Sequence, residues 1–182
     1  MRAWILPSVL LVMCLAPSLP AEEYSVELDL DGVIGNGPDI ESALVSDLVY
    51  VDVWVFGPGP LFAVGLTICN LDGALEYEGA AGNLPPGWIM TPLLPPGICF
   101  DIGAIDISFT SPVALPWLFF TVTYHAAVDD AYGHIIVDLE QSGWMDSGFQ
   151  SGVFSDFVGA GVRIGATSTD RSSWGSVKSL FR

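Results

Sequence analysis

The clearest strand pattern in this sequence is Leu48-Val49-Tyr50-Val51-Asp52-Val53-Trp54-Val55-Phe56. Valine occupies every second position, and a tyrosine, an aspartate and a tryptophan stand between the valines. Successive side chains of a β-strand point to opposite faces, so this alternation predicts an apolar inner face and a mixed outer face. Gly57-Pro58-Gly59-Pro60 follows directly and ends the strand.

Seven further segments have short β patterns, separated by turns rich in Gly, Pro and Asn. They are residues 24–30, 61–69, 74–78, 98–109, 117–125, 134–140 and 157–164. We expect residues 31–47 to form a loop or a short helical turn, and residues 79–97 to be mostly loop. No window before the C-terminus has the apolar period of a helix. The sequence therefore predicts an all-β protein, an antiparallel β-sandwich of the jelly-roll type.

Residues 1–21 have the features of a secretory signal peptide. One arginine is followed by an uninterrupted apolar run that is too short to span a bilayer comfortably. A small residue should precede the cleavage point, and Ala21 before Glu22 satisfies this requirement. Cys14 raises a lipoprotein alternative, but Met13 is too large for the small residue expected before a lipidated cysteine. The sequence therefore predicts export.

The chain beyond this leader is strongly acidic. All 21 Asp and Glu residues follow Ala21, but only four of the five Lys and Arg residues do, so this part has a net charge of −17. Surfaces that bind nucleic acid need clustered basic residues, and the charge excludes that class of partner. We interpret the acidity as a solvated surface that keeps a hydrophobic protein soluble, with calcium loading as the alternative.

Cys69 and Cys99 are the two cysteines that remain after the leader. An even pair in an exported chain predicts a disulfide, which would close a loop of about thirty residues. A zinc site is disfavoured, because it needs about four ligands and His125 and His134 lie in unrelated segments.

Three strand segments resemble the opening strands of cohesin-like domains. They are Val49-Tyr50-Val51-Asp52-Val53-Trp54-Val55, Phe62-Ala63-Val64-Gly65-Leu66-Thr67-Ile68 and Leu75-Glu76-Tyr77-Glu78-Gly79-Ala80. Residues 117–124, with the sequence WLFFTVTY, are similar to the family's penultimate strand. The resemblance is to secreted bacterial β-sandwich proteins of the cohesin-like and carbohydrate-binding type. It implies a non-catalytic jelly roll that binds dockerin modules or, in related domains, polysaccharide.

Patterns that would indicate catalysis or a cofactor are weak. No Gly-x-Ser-x-Gly motif occurs, and Glu76 with Glu78 on one strand face is typical of a solvated edge. Asp29-Leu30-Asp31-Gly32 is similar to the start of an acidic calcium loop, but the further ligands of an EF-hand are absent. We predict that the protein is not an enzyme and has no cofactor. A structural calcium ion held by loops distant in sequence stays open.

Residues 168–182 are predicted to form a tail after a sandwich domain at residues 22–167. Trp174, Val177 and Phe181 are spaced to share one helical face, and Lys178 lies near the negative end of that helix. The segment is similar to short tails on exported proteins, which implies a sorting or anchoring signal. A loosely packed, frayed tail is the alternative.

Strand parity also predicts a binding face. If the valines at 49–55 and the residues at 118, 120, 122 and 124 face the core, the residues between them face outward. These outward residues are Tyr50, Asp52, Trp54, Trp117, Phe119, Thr121 and Thr123. Exposed aromatic area of this kind marks binding sites, unless residues 83–97 or the tail cover it.

Three functions fit these observations. The first is a cohesin-like module at the cell surface, outside the cytoplasm, that binds a dockerin-like protein partner. The second is a carbohydrate-binding module that recognises polysaccharide through exposed aromatic side chains. The third is a structural protein attached to the envelope, with the C-terminal tail as its sorting signal.

Overall fold

Twelve strands form in residues 23–90 and 97–165, the parts of the chain that the computed structural model describes. They are β1 (Ser25–Asp29), β2 (Asp39–Ala43), β3 (Leu48–Phe56), β4 (Leu61–Asn70), β5 (Leu75–Gly82), β6 (Trp88–Met90), β7 (Cys99–Asp106), β8 (Trp117–Ala126), β9 (Ala131–Asp146), β10 (Ser151–Val153), β11 (Asp156–Val158) and β12 (Ala160–Ile164).

The strands make two sheets that pack face to face. Sheet A has the order β11-β1-β3-β8-β5, and sheet B has the order β2-β12-β9-β4-β7-β6, with β10 beside β9. Strand pairs are antiparallel except for β1 with β11 and β12 with β2. The predicted all-β sandwich is confirmed.

Apolar side chains from both sheets fill the space between them. All four valines of β3 are buried, and Val51 pairs with Val122 of β8 on the inner face of sheet A. Sheet B contributes inward residues from β4, β7 and β9, including Leu66, Ile102 and Ile135. The alternation of residues 48–56 therefore predicted the inner face of β3 correctly.

Several strand assignments differ from the prediction, and β10 lies where no strand was predicted. Residues 31–47 contain β2, which pairs in parallel with β12 at the edge of sheet B. Part of the predicted loop at 79–97 is also extended, because β5 continues to Gly82 and β6 pairs with β7. Residues 157–164 form two strands, β11 in sheet A and β12 in sheet B. The chain changes sheets at Gly159, where a Cβ would lie 3.0 Å from the carbonyl oxygen of Ile135.

A β-bulge in β8 changes the orientation of two predicted face residues. The register between β3 and β8 shifts after Val53, and Trp54 pairs with Leu118, so Phe119 is an extra residue in β8. Side chains before the bulge therefore exchange faces. Trp117 and Phe119 are buried, with 6% and 1% of their surface exposed. The prediction that these two residues face outward is wrong.

Residues 83–90 cover Trp117 at one end of the sandwich. The Asn83 N–H donates to the carbonyl oxygen of Phe119 at 3.0 Å, and the Asn83 carbonyl accepts from Trp117 Nε1 at 3.1 Å. The ring of Trp88 lies 5.2 Å from that of Trp117. The described part of the proline-rich segment therefore contacts Trp117, whereas Tyr50 of the same predicted face stays exposed.

Cys69 of β4 and Cys99 of β7 lie opposite each other in sheet B and form a disulfide, as the sequence predicts. The chain between them contains β5, which belongs to sheet A, and β6, at the edge of sheet B. The bond therefore closes a loop that contains strands of both sheets.

Loss of this disulfide should reduce the free energy of unfolding by about 3 kcal/mol, because the unfolded chain regains the entropy of an open loop. Equilibrium urea unfolding of a Cys69→Ala, Cys99→Ala double variant measures the change. Wild-type protein with a reductant should show a similar loss. Two free thiols in unreduced wild-type peptides, detected by mass spectrometry, would contradict the assignment.

Some sequence predictions fall on residues outside the described parts. The leader at residues 1–21 and the tail residues Trp174, Val177, Lys178 and Phe181 are among them. Within residues 23–90 and 97–165, no helix is long and apolar enough to cross a membrane.

Candidate binding faces

Five of the predicted face residues do come together, on the outer surface of sheet A. Thr121 pairs with Asp52 and Thr123 pairs with Tyr50 across β3 and β8, and Trp54 lies two residues beyond Asp52. Thr121 Oγ1 donates a short hydrogen bond to Asp52 Oδ1. We call these five residues the sheet A face. Tyr50 is its most exposed member, with 57% of its surface accessible.

The loop after β1 reduces the extent of the sheet A face. Glu27 and Asp29 are the β1 partners of Trp54 and Asp52, and both carboxylates are buried. The Gly35 N–H donates to Glu27 Oε1 at 2.7 Å, which places this loop over β1. Trp54 is only half-exposed, and its indole nitrogen is buried without a hydrogen-bond partner. The sheet A face therefore presents less aromatic area than the sequence predicts.

Sheet B has a more open outer surface, built from small residues. Gly65 of β4 pairs with Gly103 of β7 on one side and with Gly143 of β9 on the other, and Ala63 lies two residues before it. Without side chains in this row, the surface sinks into a shallow groove with a volume of about 750 Å³. A Cβ at Gly65 would meet no atom within 4 Å.

Apolar side chains border this groove. Ile105 and Met145 are the partners of Ala63 on either side, and Ile89 pairs with Ile105 in the next strand. Ile89 and Val153 have 49% and 62% of their surface exposed. We call the groove and this border the sheet B face. Its residues are Ala63, Gly65, Ile89, Gly103, Ile105, Gly143, Met145 and Val153.

Three phenylalanines form a cluster at the end of sheet B where β4 begins and β7 and β9 end. Phe62 precedes Ala63 in β4, and its ring lies 5.7 Å from Phe109 and 5.5 Å from Phe149. Phe62 is buried under the other two, whereas Phe109 and Phe149 are 39% and 60% exposed. Phe109 and Phe149 therefore add exposed aromatic surface at this end of sheet B.

Two similar turns present the exposed phenylalanines. Their sequences are Asp106-Ile107-Ser108-Phe109-Thr110 and Asp146-Ser147-Gly148-Phe149-Gln150. Each phenylalanine has a positive φ, 53° and 62°, which a bulky residue adopts only when its surroundings fix it. In each turn the leading aspartate accepts backbone N–H groups from the residues that follow. These bonds hold the aromatic side chains in place.

Asp106 makes the more extensive set of bonds. The Ser108 hydroxyl donates to its Oδ1 at 2.6 Å, and the N–H groups of Ser108, Thr110 and Ser111 also donate to the carboxylate. The Ser108 hydroxyl, followed by these backbone donors, lowers the pKa of Asp106 from 3.8 to about 2. The charged carboxylate is thus the form that stabilises the turn.

The contribution of Asp106 to stability should depend on pH. Its folded pKa is lowered, so the contribution is complete above the unfolded value of 3.8 and is lost as the pH falls toward 2. We expect the difference in stability between wild type and Asp106→Asn to be constant above about pH 5 and to shrink as the pH falls toward the folded pKa. Urea unfolding at several pH values measures it. A difference that stays constant down to pH 2 would contradict the assignment.

The two histidines considered as zinc ligands each lie beside a different carboxylate. His125 Nδ1 lies 3.9 Å from Glu76 at the edge of sheet A, and His134 Nδ1 lies 2.5 Å from Asp72. The hydrogen bond from His134 lowers the pKa of Asp72. Among the described residues, one group of three carboxylates could hold a metal ion, at the end of β1.

The strand pattern predicted a binding face on sheet A but not the face on sheet B. A signal was available in Phe62-Ala63-Val64-Gly65-Leu66-Thr67-Ile68, where large apolar residues alternate with small ones. That pattern predicts a strand with small residues on its outer face, which another molecule can approach closely. The repeated Asp-x-x-Phe turns were a second signal.

The strand order and the two packed sheets define a cohesin-like β-sandwich, and the resemblance noted in the sequence is confirmed for the fold. The chain is similar to the non-cellulosomal cohesin from the archaeon Archaeoglobus fulgidus, with a TM-score of 0.61 and 12% identity over 83% of this chain and 97% of that one. It is also similar to the sixth cohesin of scaffoldin B from Acetivibrio cellulolyticus, solved in complex with a mutant Cel5 dockerin (TM-score 0.58, 11% identity, 79% and 98% covered).

A third similar structure is a type I cohesin–dockerin complex from Clostridium thermocellum (TM-score 0.60, 10% identity, 78% and 93% covered). No protein-family model matches the sequence, and a search of curated proteins found no significant match. At these low sequence identities, the similarity shows the fold and nothing about function.

Proposed function

We propose that this chain is an exported, non-catalytic binding module that binds a dockerin-like protein partner through the sheet B face. The proposal rests on the apolar groove at Gly65, together with the exposed rings of Phe109 and Phe149 in the turns that follow two of its strands. Contiguous exposed apolar surface on a soluble protein is typical of a binding site.

The composition of the sheet B face supports a protein partner. Its small central residues let another backbone or an apolar side chain approach the sheet closely, and its border supplies aliphatic and aromatic contacts. Interfaces between proteins are enriched in aromatic residues and methionine in this way. Similar solved cohesins were crystallised with dockerins, which supports the partner class.

Electrostatics restrict the partner further. Arg163 is the one Lys or Arg among the described residues, whereas the chain as a whole has a formal net charge of −16. Asp101 lines the groove directly. A partner with basic residues around an apolar centre is therefore favoured, and its association should slow at high salt.

Export is supported by the Cys69–Cys99 disulfide, because such bonds persist in oxidising compartments outside the cytoplasm. The signal peptide at residues 1–21 and the sorting role of the tail around Trp174 remain predictions from the sequence. With them, the module would reside at the cell surface or in the medium.

Polysaccharide binding is the second candidate, and it would use the sheet A face. Tyr50 is exposed there, and Trp54 lies on the same side of β3. The loop over β1 lies beside this face and leaves Trp54 only partly exposed. A Tyr50→Ala variant should therefore lose polysaccharide binding only if this second candidate is correct.

Calorimetric titration against dockerin modules encoded in the same genome tests the proposed function. Saturable one-to-one binding to at least one module is the expected result. Polysaccharide retention in affinity electrophoresis, with no dockerin bound, would favour the second candidate instead.

A further inference from the structure

Three carboxylates converge where β1 ends and β2 begins. Asp29 is the last residue of β1, Asp39 is the first residue of β2, and Asp31 lies in the turn between the strands. One carboxylate oxygen from each residue lies within 4.8 Å of the others.

Two of these carboxylates are buried, and one of their oxygens has no partner. Asp29 is 2% exposed and Asp39 is 8% exposed. Asp29 Oδ1 accepts the N–H groups of Asp31 and Gly32, whereas Asp29 Oδ2 is buried without any hydrogen bond. A buried carboxylate oxygen normally has a donor or a cation beside it, because its desolvation is otherwise uncompensated.

Basic side chains do not fill this role in the described parts of the chain. The two ion pairs there join His125 to Glu76 and His134 to Asp72, away from the three aspartates. Three like charges at this separation, two of them buried, repel one another unless a cation lies between them.

We propose that Asp29, Asp31 and Asp39 bind a divalent cation, with calcium as the preferred ion. All three offer hard carboxylate oxygens, the ligands that calcium prefers. Oxygens on opposite sides of a calcium ion at about 2.3–2.6 Å are up to about 5 Å apart, which agrees with the spacing observed here. These three aspartates would be the ligands of the structural calcium ion that the sequence leaves open.

The loop between the strands is already held in a shape that suits a bound ion. Asp31 Oδ1 accepts the Val33 N–H at 2.8 Å, and Asn36 Nδ2 donates to Asp31 Oδ2 at 3.1 Å. Leu30 N donates to Asp39 Oδ2 at 2.9 Å, which ties the end of β1 to the start of β2. The carboxylates therefore need little rearrangement to share an ion.

The ion would connect the two sheets. Asp29 belongs to sheet A and Asp39 belongs to sheet B, so a cation bound by both joins the layers at this edge of the sandwich. Extracellular calcium modules bind with dissociation constants of about 0.1–1 mM, which suits an exported protein. The role is structural and does not depend on the partner-binding proposal.

Titration of chelator-treated full-length protein with calcium chloride tests the site. We expect one calcium ion per chain, and a rise in melting temperature of about 3 °C or more at a tenfold excess over the dissociation constant. Asp29→Asn and Asp39→Asn keep an oxygen for the loop N–H groups but remove a charge. Each should weaken calcium binding by at least about tenfold.

Glu78→Gln is the matched control, because it removes one exposed carboxylate charge far from these residues in sequence and fold. It should leave calcium affinity within about twofold of wild type. The proposal is overturned if folded wild-type protein shows neither saturable binding nor a calcium-dependent rise in melting temperature. It is equally overturned if a folded Asp29→Asn or Asp39→Asn variant binds calcium as tightly as wild type.

Discussion

Trp117→Ala is expected to reduce the free energy of unfolding by about 3–5 kcal/mol. The Trp117 ring is buried against Trp88 and Phe119, at centroid distances of 5.2 and 4.8 Å. Its removal leaves a cavity between the sheets and deprives the Asn83 carbonyl of its indole donor. Equilibrium urea unfolding measures the loss. The slope of the unfolding free energy against urea concentration should stay near the wild-type value.

Trp54→Ala is the matched control, since this tryptophan lies on the outer surface of sheet A and is half-exposed. Its indole nitrogen has no partner to lose. We expect a smaller loss, about 1–2 kcal/mol. Equal losses for the two variants, or a loss below about 1 kcal/mol for Trp117→Ala, would show that the orientation assigned across the β8 bulge is incorrect.

Gly65→Arg is expected to weaken binding of a dockerin-like partner by at least about 100-fold while the protein stays folded. The new side chain would fill the centre of the groove, where the partner must approach the sheet. A Cβ at this position meets nothing within 4 Å, and the backbone conformation suits a residue with a side chain. Calorimetry measures the affinity, and thermal melting checks the fold.

Gly79→Arg makes the same substitution on the opposite sheet and serves as the control. Gly79 of β5 pairs with Thr123 of the sheet A face, and a Cβ there also has no neighbour within 4 Å. Partner affinity should change by less than about threefold. If Gly79→Arg abolishes binding and Gly65→Arg does not, the partner binds the sheet A face.

Much of the sandwich could be predicted because β3, at the centre of sheet A, alternates strictly. In residues 48–56 one face is buried and the other is not, so the period of two determines which side chains enter the core. The local sequence of an edge strand predicts its position in the fold less well. β2 forms largely through its parallel pairing with β12, a contact between residues more than a hundred positions apart, which no local pattern reports.

The candidate site was harder to predict, for two physical reasons. The rule that alternate residues of a strand face opposite sides fails wherever a bulge inserts a residue. In β8 the extra residue Phe119 places Trp117 in the core instead of on the predicted outer face. The groove depends on Gly65, Gly103 and Gly143 lying side by side on three strands, which requires the pairing register. Tyr50, Asp52, Trp54, Thr121 and Thr123 did fall on one face, because they lie beyond the bulge or on β3.

Methyl cross-saturation NMR of the complex would show whether a protein partner binds the sheet B face. With saturation transferred from a bound dockerin module, we expect loss of signal at the methyl groups of Ala63, Ile89, Ile105, Met145 and Val153. The methyl groups of Thr121 and Thr123 on the sheet A face should keep their intensity. Signal loss at these two threonines, with the sheet B methyl groups unaffected, would show that the partner does not bind the sheet B face.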